Sequence, residues 1–194
     1  MGLVDRLSEE TAAFHDITDE EVLRLLGRTN AEDYQRYLIQ MYGFVCPLER
    51  SISNTPDIDQ VIDLHRFRKH ELLRQDLSAL HLSPKQIACL PQCNVPQFRT
   101  PEEALGWAYP IERSTLRHGD LFRHLASILP GEVAFASSYL KCYFGEIGEV
   151  WESFGRALAA FEGAPLRAQH LLHAARAAFR CFRTWRFLKD GAAA

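Results

Sequence analysis

Two stretches of the chain hold the residues whose types and spacing could do chemistry. Leu7, Thr11 and His15 recur every four residues, which sets them along one face of a helix. An imidazole there can ligate a metal or carry a proton, and packed on an apolar face it simply fills space. The second stretch is Thr100 to Leu129. Its middle packs Glu112, Arg113, Ser114, Arg117, His118, Gly119 and Asp120 so tightly that polar groups fall on nearly every side of a helix apolar at both ends. That pattern suits the lining of a pocket, or a bent surface helix with solvated charges, and residue types alone leave both readings open.

Other groupings offer less. The chain has no P-loop, no GxGxxG, no HExxH and no GxSxG, and the absence of Glu-x-x-His removes the usual di-iron bundle signature. Cys89 and Cys93 are four apart beside prolines but lack the further cysteines or histidines that a zinc site needs. His170 and His173 share a helix face without a carboxylate. Asp120 and His124 make an ordinary i,i+4 pair. Cys46 and Cys142 lie on apolar faces and read as packed thiols.

Composition sets the class. With 194 residues and 47% hydrophobic content the chain can bury one sizeable core, and residues 1–190 read as a single domain with a frayed 191–194 tail. A net charge of −3 argues against nucleic-acid binding. No apolar run is long enough for a membrane span, and the first residues show neither a signal segment nor a myristoylation pattern. Five cysteines, an odd number, read as reduced thiols in a cytoplasm. The pattern leaves oligomeric state open.

The elements that must position these residues are helices throughout. Ser8 is expected to cap a first helix ending near Asp16, and Thr18 with Glu21 to cap a second that stops at Gly27. Thr29 with Glu32 repeats the device before a stripe of Tyr34, Tyr37, Leu38, Met41, Tyr42, Val45, Leu48 and Ile52, bent by Pro47. A helix after Pro56 carries Ile58, Val61, Ile62, Leu72, Leu73, Leu77 and Leu80. Ser83-Pro84 with Gln86 opens a short helix, and Leu90 to Arg99 is the longest loop. Thr100, Pro101 and Glu103 start the polar-centred helix, which Pro110 should kink. Further helices are expected at about 133–144, at 149–161 and from Pro165 onward. The class is all-α, with antiparallel helices and short connections.

Several segments, in order, resemble the heme oxygenase family, particularly the bacterial members encoded beside bacteriophytochromes. LSEETAAFH resembles the segment bearing their proximal haem ligand, with Thr11 and His15 at the matching positions. YQRYLIQMYGFVCPLERSI is similar to their second long helix, and RKHELLRQDLSAL to the segment after it. ALGWAYPIERSTL looks like their distal stretch through Leu105, Gly106, Tyr109, Glu112, Ser114 and Leu116, and HAARAAFRCFRTWRFL like their closing helix.

The resemblance implies a heme oxygenase-like bundle with a kinked distal helix and a reaction that converts haem, O₂ and reducing equivalents to biliverdin, CO and iron. Haem would then be both substrate and cofactor, with an electron donor as partner. It implies His15 as the iron ligand with Thr11 beside it, Ser114 and Gly119 near the distal water network, and Arg156 or Arg113 on a propionate. The family writes Glu-Gly-Ser-x-Leu-Gly-Gly where this chain has Glu112-Arg113-Ser114-Thr115-Leu116-Arg117-His118, so its three glycines are replaced. Arg117 or His118 would therefore lie over the haem face, or His118 would be a sixth ligand. Three readings follow: a haem-degrading enzyme, a non-catalytic relative holding haem, biliverdin or a partner, and a different enzyme on the same scaffold.

Overall fold

The structure, a computed structural model, describes residues 2–25, 27 and 29–190, with side chains described for 2–15, 27 and 29–185. Its described residues form helices and turns without a strand. The expected 191–194 tail lies outside them.

Helix α1 runs unbroken from Leu3 to Leu25, across both of the helices expected there. Its start is held by tertiary structure rather than by Ser8, because the Leu3 amide donates to Glu162 Oε1 at 2.7 Å. Helix α2 (Ala31–Ser53) is capped one residue later than expected, by Asn30 and Asp33 in reciprocal hydrogen bonds, and it continues through Pro47. The helix expected after Pro56 is broken into two short 3₁₀ turns, Ile58–Gln60 and Leu64–Arg66, before α3 (Lys69–Ala79). Two facts explain the break. Asp57 sits in the left-handed region (φ 57°), and Asp63 caps the second turn through the His65 amide. The α3 N-terminus is then closed by the buried Glu49 carboxylate, which accepts from the Lys69 and His70 amides at 2.9 and 3.0 Å.

The short helix α4 (Pro84–Ala88) has the expected Ser83–Gln86 capping box. Helix α5 (Pro101–Ser114) is capped by Thr100, while the Glu103 carboxylate reaches past it to the Arg99 amide at 2.8 Å. It too runs through its proline. The change of conformation comes later, in a 3₁₀ turn at Thr115–Arg117 that leads into α6 (His118–Ile128).

Helix α7 (Pro130–Phe135) is shorter than expected, since the chain from 136 to 146 turns instead of continuing. Asp76 on α3 accounts for this. Its carboxylate accepts from the Ser138 and Tyr139 amides at 2.7 and 2.8 Å, replacing the intrahelical partners those amides would otherwise seek. Helices α8 (Ile147–Ala159) and α9 (Pro165–Asp190) complete the fold.

Helix α5 is the central element. It lies chiefly against α9, with α2 and α8 on its flanks, and α1 bridges α8 and α9. Close approach of α5 to α9 depends on Gly106: a Cβ there would stand 2.5 Å from the Leu171 carbonyl oxygen and 2.7 Å from the Ala174 Cβ. One continuous apolar cluster, from Leu3 through Tyr34, Phe44, Leu105 and Tyr109 to Phe179 and Phe182, fills the interior.

Candidate functional site

His15 is buried on α1, at 6% exposure, and the structure joins it to Thr11 as the helical spacing requires. The Thr11 hydroxyl donates to the Leu7 carbonyl at 2.6 Å and lies 2.7 Å from His15 Nε2. A hydroxyl has one proton, and here it goes to Leu7. Nε2 is therefore the donor to Thr11.

Aromatic rings wall the imidazole. Phe179 on α9 is 5.5 Å away between centroids and Tyr109 on α5 is 6.3 Å away. Phe14 stacks on Phe179 at 5.7 Å, and Trp151 on α8 packs against Tyr109 at 6.1 Å. The Tyr109 hydroxyl lies by the hydroxyls of Thr11 and Ser8, and burial raises its pKa despite the Arg113 charge nearby. Helices α5 and α9 thus meet His15 on α1, and α8 joins them through Trp151 on Tyr109. Sequence reasoning gave neither Tyr109 nor Phe179 a place beside the histidine, because nothing in a linear pattern aligns residues 94 and 164 positions away.

The polar centre of the second stretch separates into distinct surroundings. Ser114 is half-buried and donates to the Ile111 carbonyl at 2.7 Å. Arg113 is half-buried near Tyr109. Arg117 lies 3.9 Å from Asp120. Gly119 is exposed, and a Cβ built on it meets no protein atom within 4 Å. Arg156 is exposed on α8.

His118 turns inward onto the 136–146 turn. Its ring meets Tyr139 edge-on at 4.7 Å, its Nδ1 is 3.7 Å from Cys142 Sγ, and its Nε2 is buried without a partner. Burial, reinforced by the Lys69 charge, pulls its pKa down to about 3, so the ring is neutral. It borders a 260 Å³ cavity closed by Leu140, Tyr143 and Phe144.

Glu112, read from sequence as part of a lining, is instead the hub of a buried ionic cluster. Its two oxygens take Lys69 Nζ at 2.6 Å and Arg66 Nη2 at 3.0 Å, and the Tyr143 hydroxyl donates at 3.3 Å. Burial pushes the Glu112 pKa up, and the two cations outweigh it, leaving the carboxyl below its ordinary value. The cluster ties the end of α5 to α3 and to the 136–146 turn. A second unforeseen pair is Cys93 and Cys181, whose sulfurs lie 3.4 Å apart although 88 residues separate them in sequence.

No helix among the described residues is long and apolar enough to cross a membrane, and no group of three metal-ligating side chains occurs among them. The fold resembles the crystal structure of NO- and CO-bound heme oxygenase from Neisseria meningitidis, with a TM-score of 0.75 and 22% identity, covering 95% of this chain and 90% of that one. No curated protein matches the sequence. The family model described as heme oxygenase matches residues 1–187, nearly the whole chain, and the protein accordingly belongs to the heme oxygenase family.

Proposed function

We propose that this protein takes haem as its substrate, with His15 as the iron ligand, and opens the ring to biliverdin, CO and iron using O₂ and an external electron donor. Family membership supports haem degradation in general. The observation that carries the residue assignment is the buried imidazole of His15 against aromatic rings from α5 and α9. Neutral imidazole is the form that ligates iron, and apolar rings suit a flat macrocycle. We assign Arg113, beside Tyr109, and Arg156 on α8 to the propionates. We assign Ser114 and Gly119 to the far side of the ligand. We take residues 1–190 as one cytoplasmic domain that binds neither nucleic acid nor membrane.

The residues fit haem on the His15 side and not on the opposite one. Ligation through Nε2 requires the Thr11 hydrogen bond to be given up. A macrocycle stacked between two groups separates them by roughly 7 Å, two carbon contacts of about 3.5 Å each. The His15 and Tyr109 centroids are 6.3 Å apart, so the ring must enter at the imidazole edge rather than between these faces. The family's three distal glycines are Arg113, Arg117 and His118 here. That mismatch favours a second reading, in which haem or biliverdin is held without turnover.

Turnover separates the two. The haem-loaded protein, given a reductase and NADPH in air, is expected to lose its haem absorbance as biliverdin appears. Reduction to a stable ferrous complex without biliverdin contradicts the enzymatic reading and leaves the binding one.

A further inference from the structure

We propose that Cys93 and Cys181 are a redox modification site, closing to a disulfide that fastens the Leu90–Arg99 loop to α9. The two sulfurs already lie 3.4 Å apart, so closure to about 2.05 Å needs a shift of roughly 1.4 Å. Both side chains come from firmly placed backbone. The Cys93 amide donates to the Gly43 carbonyl at 2.7 Å, and Trp185, one turn beyond Cys181, donates from Nε1 to the Gln40 carbonyl at 3.0 Å. A Cβ on Gly43 would stand 2.5 Å from the Trp185 ring and 2.6 Å from the Pro91 carbonyl oxygen, so α2, the loop and α9 meet closely here. The site is independent of haem.

The two thiols are unequal. Cys93 is buried, and Cys181 is partly exposed. The hydrogen bond the two sulfurs share holds Cys181 down to about 7 and raises Cys93. Cys181 is therefore the attacking thiolate and Cys93 the resolving thiol. The oxidant is a low-molecular-weight disulfide. The Cys181 thiolate attacks one of its sulfurs, forming a mixed disulfide and expelling one small thiolate. Cys93 then gives up its proton and attacks Cys181 Sγ, expelling the second small thiol. Two protein thiols are oxidised by two electrons and one small disulfide is reduced to two thiols.

The bond would also hold α9 in register two residues from Phe179, which packs on His15. It would close a loop spanning 88 residues, long enough to restrict the unfolded chain strongly.

The experiment equilibrates the full chain in oxidised and reduced glutathione buffers, alkylates the remaining thiols and maps peptides by mass spectrometry. The expected result is a Cys93–Cys181 cross-linked peptide that grows as the buffer becomes more oxidising and disappears with dithiothreitol. Cys46, Cys89 and Cys142 stay alkylated throughout. The wild-type Tm should rise by about 5–10 °C on oxidation, and C93S and C181S should show no rise. Full alkylation of both thiols at the oxidising limit, or linkage of any other pair, overturns the proposal. The wild-type peptide map decides this even if a serine variant fails to fold.

Discussion

Thr11 has one hydroxyl proton, and giving it to Leu7 leaves Thr11 to accept from His15 a turn away. Replacing Thr11 with Val removes this hydrogen bond to the buried imidazole, at a cost of about 1–3 kcal/mol. Urea denaturation should show the loss, and Thr11→Ser should recover most of it. His118 gives a pH prediction. Its pKa is about 3 when folded against an ordinary value of 6.5, so below pH 6.5 the unfolded chain takes up a proton that the folded one refuses. Its contribution is intact above pH 6.5 and drains as pH falls towards 3, at a slope of up to about 1.4 kcal/mol per pH unit. Unfolding midpoints at pH 7 and pH 4.5 should differ less in His118→Phe than in wild type. Spacing alone made the Thr11–His15 pair legible, because four residues along a helix is a geometric identity. The same logic could not show which way His118 turns, since Tyr139 and Cys142 come from a turn that no periodicity marks.

Helix α5 gathers its constraints at two places. At Gly106, an added methyl would meet backbone on α9, which cannot rotate away. Gly106→Ala should therefore cost about 1–3 kcal/mol, the usual range for overpacking, against the modest gain in helix propensity. At Glu112, removing the carboxylate leaves Lys69 and Arg66 buried beside each other. Glu112→Ala should cost about 3–5 kcal/mol, read by urea unfolding. The Glu112 pKa is lowered in the fold, so its contribution is present above the ordinary carboxylate value of 4.5 and disappears as pH falls through the folded value. Helix identity was largely legible from apolar spacing and capping residues. Boundaries were not, where tertiary carboxylates took over: Glu162 starts α1, Glu49 starts α3, and Asp76 ends the helical course after α7.

Across the whole molecule, the all-α class and the family were legible because they rest on many residues spread along the chain, and the family model matches residues 1–187. The site was only half legible. Its His15 side follows from one helix, whereas its aromatic wall draws Tyr109, Trp151 and Phe179 from three others. Titration of the purified protein with haemin, followed by absorbance, tests the central claim most directly. A Soret band that saturates near one equivalent and is lost in His15→Ala, with the variant's circular dichroism unchanged, is the expected result. A titration without saturation, or the same band in wild type and His15→Ala, would contradict haem ligation by this histidine.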